Sequence, residues 1–590
     1  MYHLRRSAIA VAVIATVAFI TWFVPKVLVP NPPSPEDQAR DRAWVDTSPF
    51  WLDRQACRWF SVCGIHHMRW DDPVEPRAPL VPDAERGELE LKRRALTLSS
   101  SSHWEDLRGA RQASAAGTAS DSILHDVPDY VLRNAPLVHL YSGESFWPAD
   151  IGEHVQHMTP YVKDTPVNTT EPLSLANLYG LAAVPGMVYL TSKENVELRP
   201  GWLSSQVGKP SPFHDVDDGG RDSRAANPAA DQPPPNEPQM TSYSEGTTWF
   251  DVDRDHPLLR ITDPRERLFA PADMQAKRAR RAVLSHDDDD DDDAQKPLPP
   301  PPTTPGHKPD ASGYSAAPAI LVLVDKGSGI LDAFWFFFYS YNLGQTVLNM
   351  RFGNHVGDWE HCMVRFEHGV PRAMFLSEHE GGQAYAWSAL EKKRVNYTAV
   401  AEANNPRGPQ PATEIIERPV IYSAVGSHAM YAFAGPHAYV LPFQMLKDDT
   451  DRGPLWDPAL NNYAYFYDYT DAPPPDDEDE GNMHTDIDDN NNDDDNELVT
   501  ILDLPQPTSL TPASKNPHAP TSWFHFDGPW GDELYGLGDE RQWRLFGQYH
   551  YVTGPMGPKF KRLGREKVCQ KDKCRILGSI EEGRKGSWHD

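Results

Sequence analysis

The amino-acid sequence predicts a mainly β protein: an antiparallel β-sandwich that carries disordered insertions and follows an N-terminal transmembrane helix. Short runs in which apolar and aromatic residues alternate, such as APLVHLYSGESFWPADI at 135–151, are separated by Gly and Pro, as in strands joined by turns. Two long tracts contain too few apolar residues to repay the entropy of ordering. An uncharged apolar run near the N-terminus has the character of a membrane span.

The composition indicates one large folded domain with insertions rather than several domains. The chain has 590 residues, 56 of them proline, and its mean hydropathy is −0.59. The formal net charge is −29, and much of it lies in acidic runs that are typical of solvated segments. This charge argues against nucleic acid as a partner.

Residues 1–6 are predicted to be cytoplasmic and residues 7–24 to form a signal anchor that crosses the membrane once. The run at 7–24 carries no charge and is about long enough to span a bilayer as a helix. The preceding Arg5 and Arg6 favour a cytoplasmic N-terminus. A cleaved signal peptide is the alternative. In either case the bulk of the chain faces the lumen or the outside, where Asn168 and Asn396 lie in sequons and are glycosylation candidates.

The cysteines fit an oxidising compartment. Cys57 lies close to Cys63 and Cys569 close to Cys574, so each pair could close a small local disulfide. These spacings do not resemble zinc-binding pairs. Cys362 lies in an apolar run and is predicted to be a buried thiol.

The chain is predicted to be organised around one domain. Its expected parts are a Pro- and Arg-rich stalk at 25–130, the domain at 131–575 with disordered insertions at about 211–312 and 472–515, and a C-terminal tail at 576–590. The apolar stretch at 319–344 favours two strands over a second span, because charged residues and a GSG turn interrupt it. The acidic run at 486–497 matches several EF-hand ligand positions, but no amphipathic helices flank it, which favours a linker over a calcium site.

The stretch FGNHVGDWEHCMVRF at 352–366 is the strongest candidate site. Because side chains alternate along a strand, Asp358 and Glu360 are expected on one face, with Trp359 and His361 on the other. Glycines in the stretch permit a bend that brings His355 near the two carboxylates. Such oxygen-rich ligation suits Ca, Mg or Mn. The alternative is structural: Asp358 caps a turn, and Glu360 pairs with Arg365 or Arg351.

Several motifs in the same order resemble the vacuolar protein sorting-associated protein 62 family of fungi. They include VYLTSKENVE, LVDKGSGILDAFWFFFYSYNLG, FGNHVGDWEHCMVRF, LSEHEGGQAYAW, RPVIYSAVGSHAMYA, FDGPWGD and GPMGPK. With the run at 135–151 they span about 135–574 apart from the two insertions. The resemblance implies a role in protein delivery to the vacuole and a place in the vacuolar or secretory pathway, without defining a molecular activity.

A more distant similarity is to the necrosis- and ethylene-inducing proteins, single-domain β-sandwiches with a Gly-His-Arg-His-Asp-Trp-Glu motif. That motif supplies divalent-cation ligands, and the similarity implies such roles for His355, Asp358 and Glu360. Gly357 stands where the motif has its second histidine. Asn342 and Asp332 are the nearest candidates for a further upstream ligand. Toxicity and lipid specificity do not carry over.

His428 and His361 are the remaining candidates for the site, as a ligand or as a general acid/base. A structural role at a strand end is the alternative for His428. The run LSEHEGG lacks the second histidine of a zinc-protease motif, and no P-loop, dinucleotide fingerprint or G-x-S-x-G elbow occurs. The expected function is a membrane-anchored, lumenal binding or trafficking factor whose ligand is a protein, a lipid or a glycan. The alternative is a metal-assisted hydrolase of glycans or glycolipids.

Overall fold

A computed structural model describes most of the chain outside the predicted insertions. The described residues are 11–19, 23, 35–71, 73–76, 124–169, 171–205, 307–379, 381–404, 413–440, 446–470, 507–545, 547–571 and 573–585. They divide into two compact units. The larger comprises the residues up to Glu197, Trp202–Ser205 and the chain from Gly306 onward. The smaller is Leu198–Gly201 with residues 206–305, of which only Leu198–Gly201 is described.

The elements of the described residues are mostly strands. The α-helices are α1 (Pro35–Thr47), α2 (Trp51–Phe60), α3 (Asp129–Arg133), α4 (Ile151–Gln156), α5 (Thr398–Asn404) and α6 (Ile580–Lys585). Single-turn 3-10 helices occur at Ile65–His67, Leu178–Ala183, Val196–Leu198, Gly201–Ser204, Trp387–Ala389, Pro458–Leu460, Ser522–His525 and Pro558–Lys561.

The strands in chain order are β1 (Val62–Cys63), β2 (Leu137–His139), β3 (Met158–Val162), β4 (Thr165–Pro166), β5 (Val188–Ser192), β6 (Ala319–Gly327), β7 (Ile330–Asn342), β8 (Gln345–Val347), β9 (Met350–Phe352), β10 (His355–Glu367), β11 (Val370–Glu378), β12 (Gly381–Ala386), β13 (Lys392–Asn396), β14 (Ile415–Ser423), β15 (Met430–Tyr431), β16 (Gly435–Val440), β17 (Leu446–Thr450), β18 (Leu455–Trp456), β19 (Asn462–Tyr467), β20 (Leu510–Pro512), β21 (Arg544–Leu545), β22 (Gln548–Tyr549) and β23 (Ile576–Leu577).

The largest sheet has eight strands in the order β20-β19-β6-β7-β10-β11-β12-β23. A second sheet contains β13-β14-β2-β18, with β15 paired to β14. Most pairs are antiparallel, but β19 with β6, β14 with β2 and β12 with β23 are parallel. The prediction of a mainly β protein is confirmed. The pairing is mixed rather than purely antiparallel, because parallel partners come from distant parts of the chain and sequence periodicity does not reveal them.

Both faces of the central strands β7 and β10 are covered. On one face Phe336 and Phe338 pack against Trp359, which in turn contacts Trp523 and Trp530. On the other face, Phe337 packs against Trp456 of β18, and Tyr339 stacks on His428. The stretch predicted at 319–344 therefore forms two buried strands, β6 and β7, as its Gly-rich turn indicated.

The segment at 35–76, which was expected within a stalk, packs against the large unit. Strand β1 pairs with β21, and Cys57 is bonded to Cys63. Asp71 forms a buried ion pair with Arg351, with 3.0 Å between Oδ2 and Nε. The remaining residues of the expected stalk, apart from 124–130, lie outside the described residues.

The C-terminal part of the chain is also attached to the main sheet. Cys569 is bonded to Cys574, and β23 pairs with β12, so the expected tail begins with a strand and continues into α6. Of the two expected insertions, residues 307–312 and 507–515 are described, and the latter include β20. The rest of each insertion lies outside the described residues.

The N-terminal run is described only in part, with residues 11–19 helical and exposed. Within the described ranges, no helix combines the length and the apolar character that crossing a membrane requires. The expected span at 7–24 is thus not supported by these residues.

Candidate functional site

The site begins where the chain turns into β10. Gly357 has a φ of +71°, and a Cβ there would lie 2.4 Å from the carbonyl oxygen of Trp530. Only glycine tolerates both the left-handed backbone and this close approach. His355 lies opposite Asn342 on β7, and Asn342 donates its amide to the carbonyl oxygen of Gly353 at 2.8 Å. The bend expected from the glycines is therefore present, and Asn342 helps to hold it.

Strand alternation separates the polar residues of β10 as predicted. Trp359 and His361 lie among the aromatic side chains of one face, and Asp358 lies on the other, opposite Tyr339. His361 contacts Phe334 and Phe336, and both its nitrogens lack a hydrogen-bond partner among the described residues. Burial lowers the pKa of His361 well below its ordinary value. His361 is therefore a neutral core residue and does not join the carboxylates.

His428 does join them. Its Nδ1 lies 2.9 Å from Oδ2 of Asp358, its Nε2 donates to the carbonyl oxygen of Phe146 at 3.2 Å, and its ring stacks on Tyr339 with centroids 3.7 Å apart. Glu144 lies close by, with 3.7 Å between its Oε2 and Nε2 of His428. The His428 side chain is wholly buried. Both nitrogens are engaged, so neither is available to a substrate.

Glu360 is the second buried carboxylate of β10. The Ser377 hydroxyl donates to it and accepts from the backbone N–H of His361 at 2.9 Å. Burial, aided by the charge of Asp358, raises the pKa of Glu360 to about 8. The predicted pairing of Glu360 with Arg365 or Arg351 is wrong, because Arg365 binds Asp332 at 2.7 Å and Arg351 binds Asp71. Asp332 is therefore not an extra ligand of this site.

Glu378, at the end of β11, is a third buried carboxylate. Its residue is 3% exposed, and its Oε1 has no hydrogen-bond partner among the described residues. Burial raises the pKa of Glu378 well above its ordinary value, and the neighbouring Asp448 and Glu360 act in the same direction. The Oε1 atom is thus a buried polar atom that nothing in the described chain satisfies.

Asp448 lies beside these groups and is fully satisfied. It accepts hydrogen bonds of 2.7 Å each from Gln345, Ser427, Tyr431 and His379. Burial acts to raise the pKa of Asp448, but His379 outweighs it and the pKa is lowered. Burial also acts to lower the pKa of His379, but Asp448, with Glu360 and Glu378, raises it to about 9. The two residues form an ion pair that closes one side of the cluster.

The three predicted ligands, His355, Asp358 and Glu360, do not point to one common position in the structure. His355 donates from Nδ1 to the carbonyl oxygen of Gly357 at 2.6 Å, while Asp358 is engaged by His428 and Glu360 by Ser377. Burial lowers the pKa of His355, which favours its neutral form. Across the described ranges, no three histidine, cysteine, aspartate or glutamate side chains are grouped so that they could hold a metal ion.

His428 was a candidate from the sequence, but the other polar groups from outside β10 were not predicted as part of the site. Glu144 precedes the aromatic pair of the SGESFW run, and Asp448 lies in the charged run LKDDT, so neither has a distinctive signal. Glu378 and His379 stand out in LSEHEGG, but the run resembles a solvated strand end. Their burial depends on contacts between distant segments, which the spacing of residues does not reveal.

The two sequon asparagines lie away from this cluster. Both Asn168 and Asn396 are exposed, and the Oδ1 of Asn396 accepts from the backbone N–H of Thr398 at 3.0 Å and from its hydroxyl at 2.7 Å. Their positions are compatible with modification by a bulky group.

The fold and the polar cluster define a β-rich protein with a buried acidic site, and comparison with known proteins gives its family. The chain is 32% identical over 450 residues to the putative vacuolar protein sorting-associated protein TDA6 of Saccharomyces cerevisiae, covering 75% of this chain and 68% of that protein. It is 31% identical over 455 residues to vacuolar protein sorting-associated protein 62 of the same yeast, covering 76% and 68%. The chain therefore belongs to the vacuolar protein sorting-associated protein 62 family, as its motifs predicted.

Two further comparisons add nothing to this assignment. No family model matches the chain. A solved structure titled "Toxin fold for microbial attack and plant defense" aligns with 26% of this chain and 59% of its own, at 12% identity and a TM-score of 0.12. A score this low carries no argument about fold or function.

Proposed function

We propose that the protein is a binding factor of vacuolar protein sorting whose ligand site takes a positively charged group between Glu360 and Glu378. The names of its yeast relatives support the pathway. The observation that carries the site is the buried Oε1 of Glu378, which lacks a partner among the described residues while Glu360 lies within electrostatic range. Buried carboxylates without donors are costly, and a cation would offset that cost.

A divalent cation is one source of that charge. Mg²⁺ is commonly held by one or two carboxylates with water completing its shell, so a set of three protein ligands is not required. Glu360 and Glu378 would supply oxygen ligands to Ca, Mg or Mn. A lysine or arginine side chain of a protein ligand is the other source, since an ammonium or guanidinium also donates to carboxylates.

A binding role is favoured over the hydrolase alternative by the positions of the two imidazoles proposed as acid/base. His361 is buried among phenylalanines, and His428 uses both nitrogens within the protein. A general base must reach the proton that it abstracts, directly or through one water. Neither imidazole offers a nitrogen at the surface.

The experiment titrates full-length protein and its variants with candidate cations. Binding is read as a shift in thermal unfolding and as heat in calorimetry. The probes are Ca, Mg and Mn chlorides and, separately, N-acetyl-lysinamide. A probe that binds the folded state at one hundred times its Kd should stabilise it by about 2.7 kcal/mol. Glu360→Gln and Glu378→Gln should abolish the shift, whereas Glu417→Gln, at an exposed position of β14, should retain it. Absence of any heat or thermal shift with every probe would overturn the proposed site.

We further propose that residues 7–24 attach the protein to a membrane, with the domain on the lumenal side. The uncharged apolar run and the exposure of Asn168 and Asn396 support this arrangement. Removal of glycans by endoglycosidase should then lower the mass of the protein from cells, and Asn168→Gln with Asn396→Gln should show no such change. Unmodified asparagines at both positions would contradict the lumenal placement.

A further inference from the structure

A strongly basic segment lies near the C-terminus of this acidic chain. Residues 559–575 contain eight lysines and arginines against two acidic residues, in a chain whose net charge is −29. The basic residues are Lys559, Lys561, Arg562, Arg565, Lys567, Lys571, Lys573 and Arg575. Five of them are exposed: Arg562, Lys567, Lys571, Lys573 and Arg575. We call residues 559–575 the basic segment.

The fold holds the basic segment in place. It starts in the 3-10 helix Pro558–Lys561, the Cys569–Cys574 disulfide closes the loop that presents Lys571 and Lys573, and β23 follows directly. Arg565 lies over Phe334 and Phe375, with its Cζ 5.0 and 4.8 Å from the ring centroids. The positive charges are thus presented from a fixed surface, which lowers the entropic cost of binding an anionic partner.

Positive charge exceeds negative charge around this surface. Arg565 is 7% exposed, and its Nη2 has no hydrogen-bond partner among the described residues. The nearby Asp332 is committed to Arg365 through two bonds of 2.7 Å. Lys326 donates to the carbonyl oxygen of Leu563 at 2.8 Å, which adds another cation. Burial, together with Arg365 and Arg562, lowers the pKa of Arg565 to about 9 although Asp332 opposes this. The basic segment therefore carries a net positive charge, with eight basic side chains against Glu566 and Asp572.

A complementary segment of the same chain starts beside it. Residues 471–506, here called the acidic segment, contain fourteen aspartates and glutamates and no lysine or arginine. Two residues before it, Tyr469 packs on Gly564, where a Cβ would lie 2.9 Å from the tyrosine ring. The Nζ of Lys326 lies 4.1 Å from the centroid of the same ring. The described chain that leads into the acidic segment therefore lies beside the middle of the basic segment.

The described chain that follows the acidic segment lies close to the chain that precedes it. Strand β19 pairs with β20, with Tyr467 opposite Leu510, so the described residues on both sides of the acidic segment lie next to each other. Both ends are therefore anchored near the basic segment. A tether of this kind gives an effective local concentration in the millimolar range.

We infer that the basic segment is a docking surface for the acidic segment of the same molecule. Charge complementarity and the anchored ends favour this occupant over an external one. The acidic tract Asp287–Asp293 provides a matched comparison, because it has seven aspartates but no such anchorage is seen in the described residues. Exposed charge pairs of this kind weaken with salt, so the contact is expected to be salt-sensitive.

Zero-length carbodiimide cross-linking of the full-length protein, read by mass spectrometry, tests the inference. Cross-links are expected from Lys571 and Lys573 to carboxylates of the acidic segment, and they should decrease between about 0.1 M and about 1 M salt, where the Debye length falls from about 10 Å to about 3 Å. Amide replacement of the seven acidic residues between 476 and 488 should lower their yield several-fold. The same replacement of Asp287–Asp293 should leave the yield unchanged.

Two further arms distinguish other occupants. Mixing isotope-labelled and unlabelled protein identifies links between chains, and links found mainly between chains would overturn docking within one molecule. Vesicles of phosphatidylserine and phosphatidylcholine should bind the variant neutralised at 476–488 more tightly than wild type, because its basic segment is exposed. Equal binding by both proteins would show that the basic segment is already accessible to vesicles in wild type, and this would also overturn the inference.

Discussion

At Glu360, burial and a neighbouring negative charge act together. The side chain is bonded to Ser377, lies beside Asp358 on the same strand face, and its pKa rises from an ordinary 4.5 to about 8. The folded protein therefore keeps a proton on Glu360 over a pH range in which the unfolded chain releases it. The same proton is displaced when a cation binds, which links the proposed ligand to pH.

The stability of the protein is expected to fall as pH rises from 4.5 to about 8. In this range the folded state binds one proton more than the unfolded state at Glu360, so the free energy of unfolding decreases with pH. One pKa unit corresponds to about 1.4 kcal/mol, which makes the total loss on the order of a few kcal/mol. Glu360→Gln should make this dependence shallower in urea unfolding across the range, and the part that remains is due in part to Glu378, whose pKa burial also raises.

Glu417→Gln serves as the control for the contribution of Glu360 to the pH dependence of stability. The raised pKa of His379 also lowers stability as pH rises, from its ordinary 6.5 to about 9, so wild type and Glu360→Gln share that contribution. Glu417→Gln should keep the full pH dependence of wild type. Parallel pH profiles for wild type and Glu360→Gln would contradict the assignment.

The central strand β10 was largely predictable, because a period of two residues assigns its faces whatever the rest of the chain does. Alternation correctly placed Trp359 and His361 opposite Asp358. What the strand contacts was not predictable, since Glu144 and Asp448 come from segments far away in sequence. Two members of the ligand trio contact distant segments, Asp358 through His428 and Glu360 through Ser377, whereas His355 donates to the carbonyl oxygen of nearby Gly357.

Gly357 is the residue of β10 whose replacement should be most damaging. Its φ of +71° costs a non-glycine residue about 1–2 kcal/mol. A Cβ would also lie 2.4 Å from the carbonyl oxygen of Trp530, and relieving such a clash adds about 1–3 kcal/mol. Gly357→Ala is therefore expected to lower the free energy of unfolding by about 2–5 kcal/mol in denaturant titrations.

Gly353 supplies the matched control in the same part of the chain. Its φ is +86°, but a Cβ there would meet nothing within 4 Å. Gly353→Ala should cost only the backbone contribution. Equal losses for the two variants would show that the contact with Trp530 has no energetic weight.

For the molecule as a whole, composition was misleading for residues 35–76. Proline, arginine and scattered tryptophans in this region predicted a stalk. In the structure β1 pairs with β21, and Arg69 forms a buried ion pair with Glu197. Composition reports how polar a segment is, whereas attachment here depends on a few buried ion pairs whose partners are hundreds of residues away.

Attachment of this N-terminal segment is expected to depend on Asp71. Asp71 and Arg351 are 5% and 2% exposed, and Arg351 also donates to the carbonyl oxygen of Gly344 at 2.7 Å. Asp71→Asn leaves the buried guanidinium without its counter-ion, and removing one partner of a buried pair costs about 3–5 kcal/mol. Chemical denaturation should show a loss of this size, and proteolysis should cleave the chain between 35 and 76 faster than in wild type.

Asp46→Asn is the appropriate comparison, because Asp46 pairs with Arg58 at 3.2 Å with both side chains largely exposed. Exposed pairs contribute little, so this variant should match wild type in both measurements. A segment that merely linked the domain to a membrane could lose Asp71 without changing the stability of β7 and β10. A lower free energy of unfolding for Asp71→Asn but not for Asp46→Asn would therefore show that residues 35–76 are part of the folded domain. Equal free energies for the two variants would instead support the expected stalk.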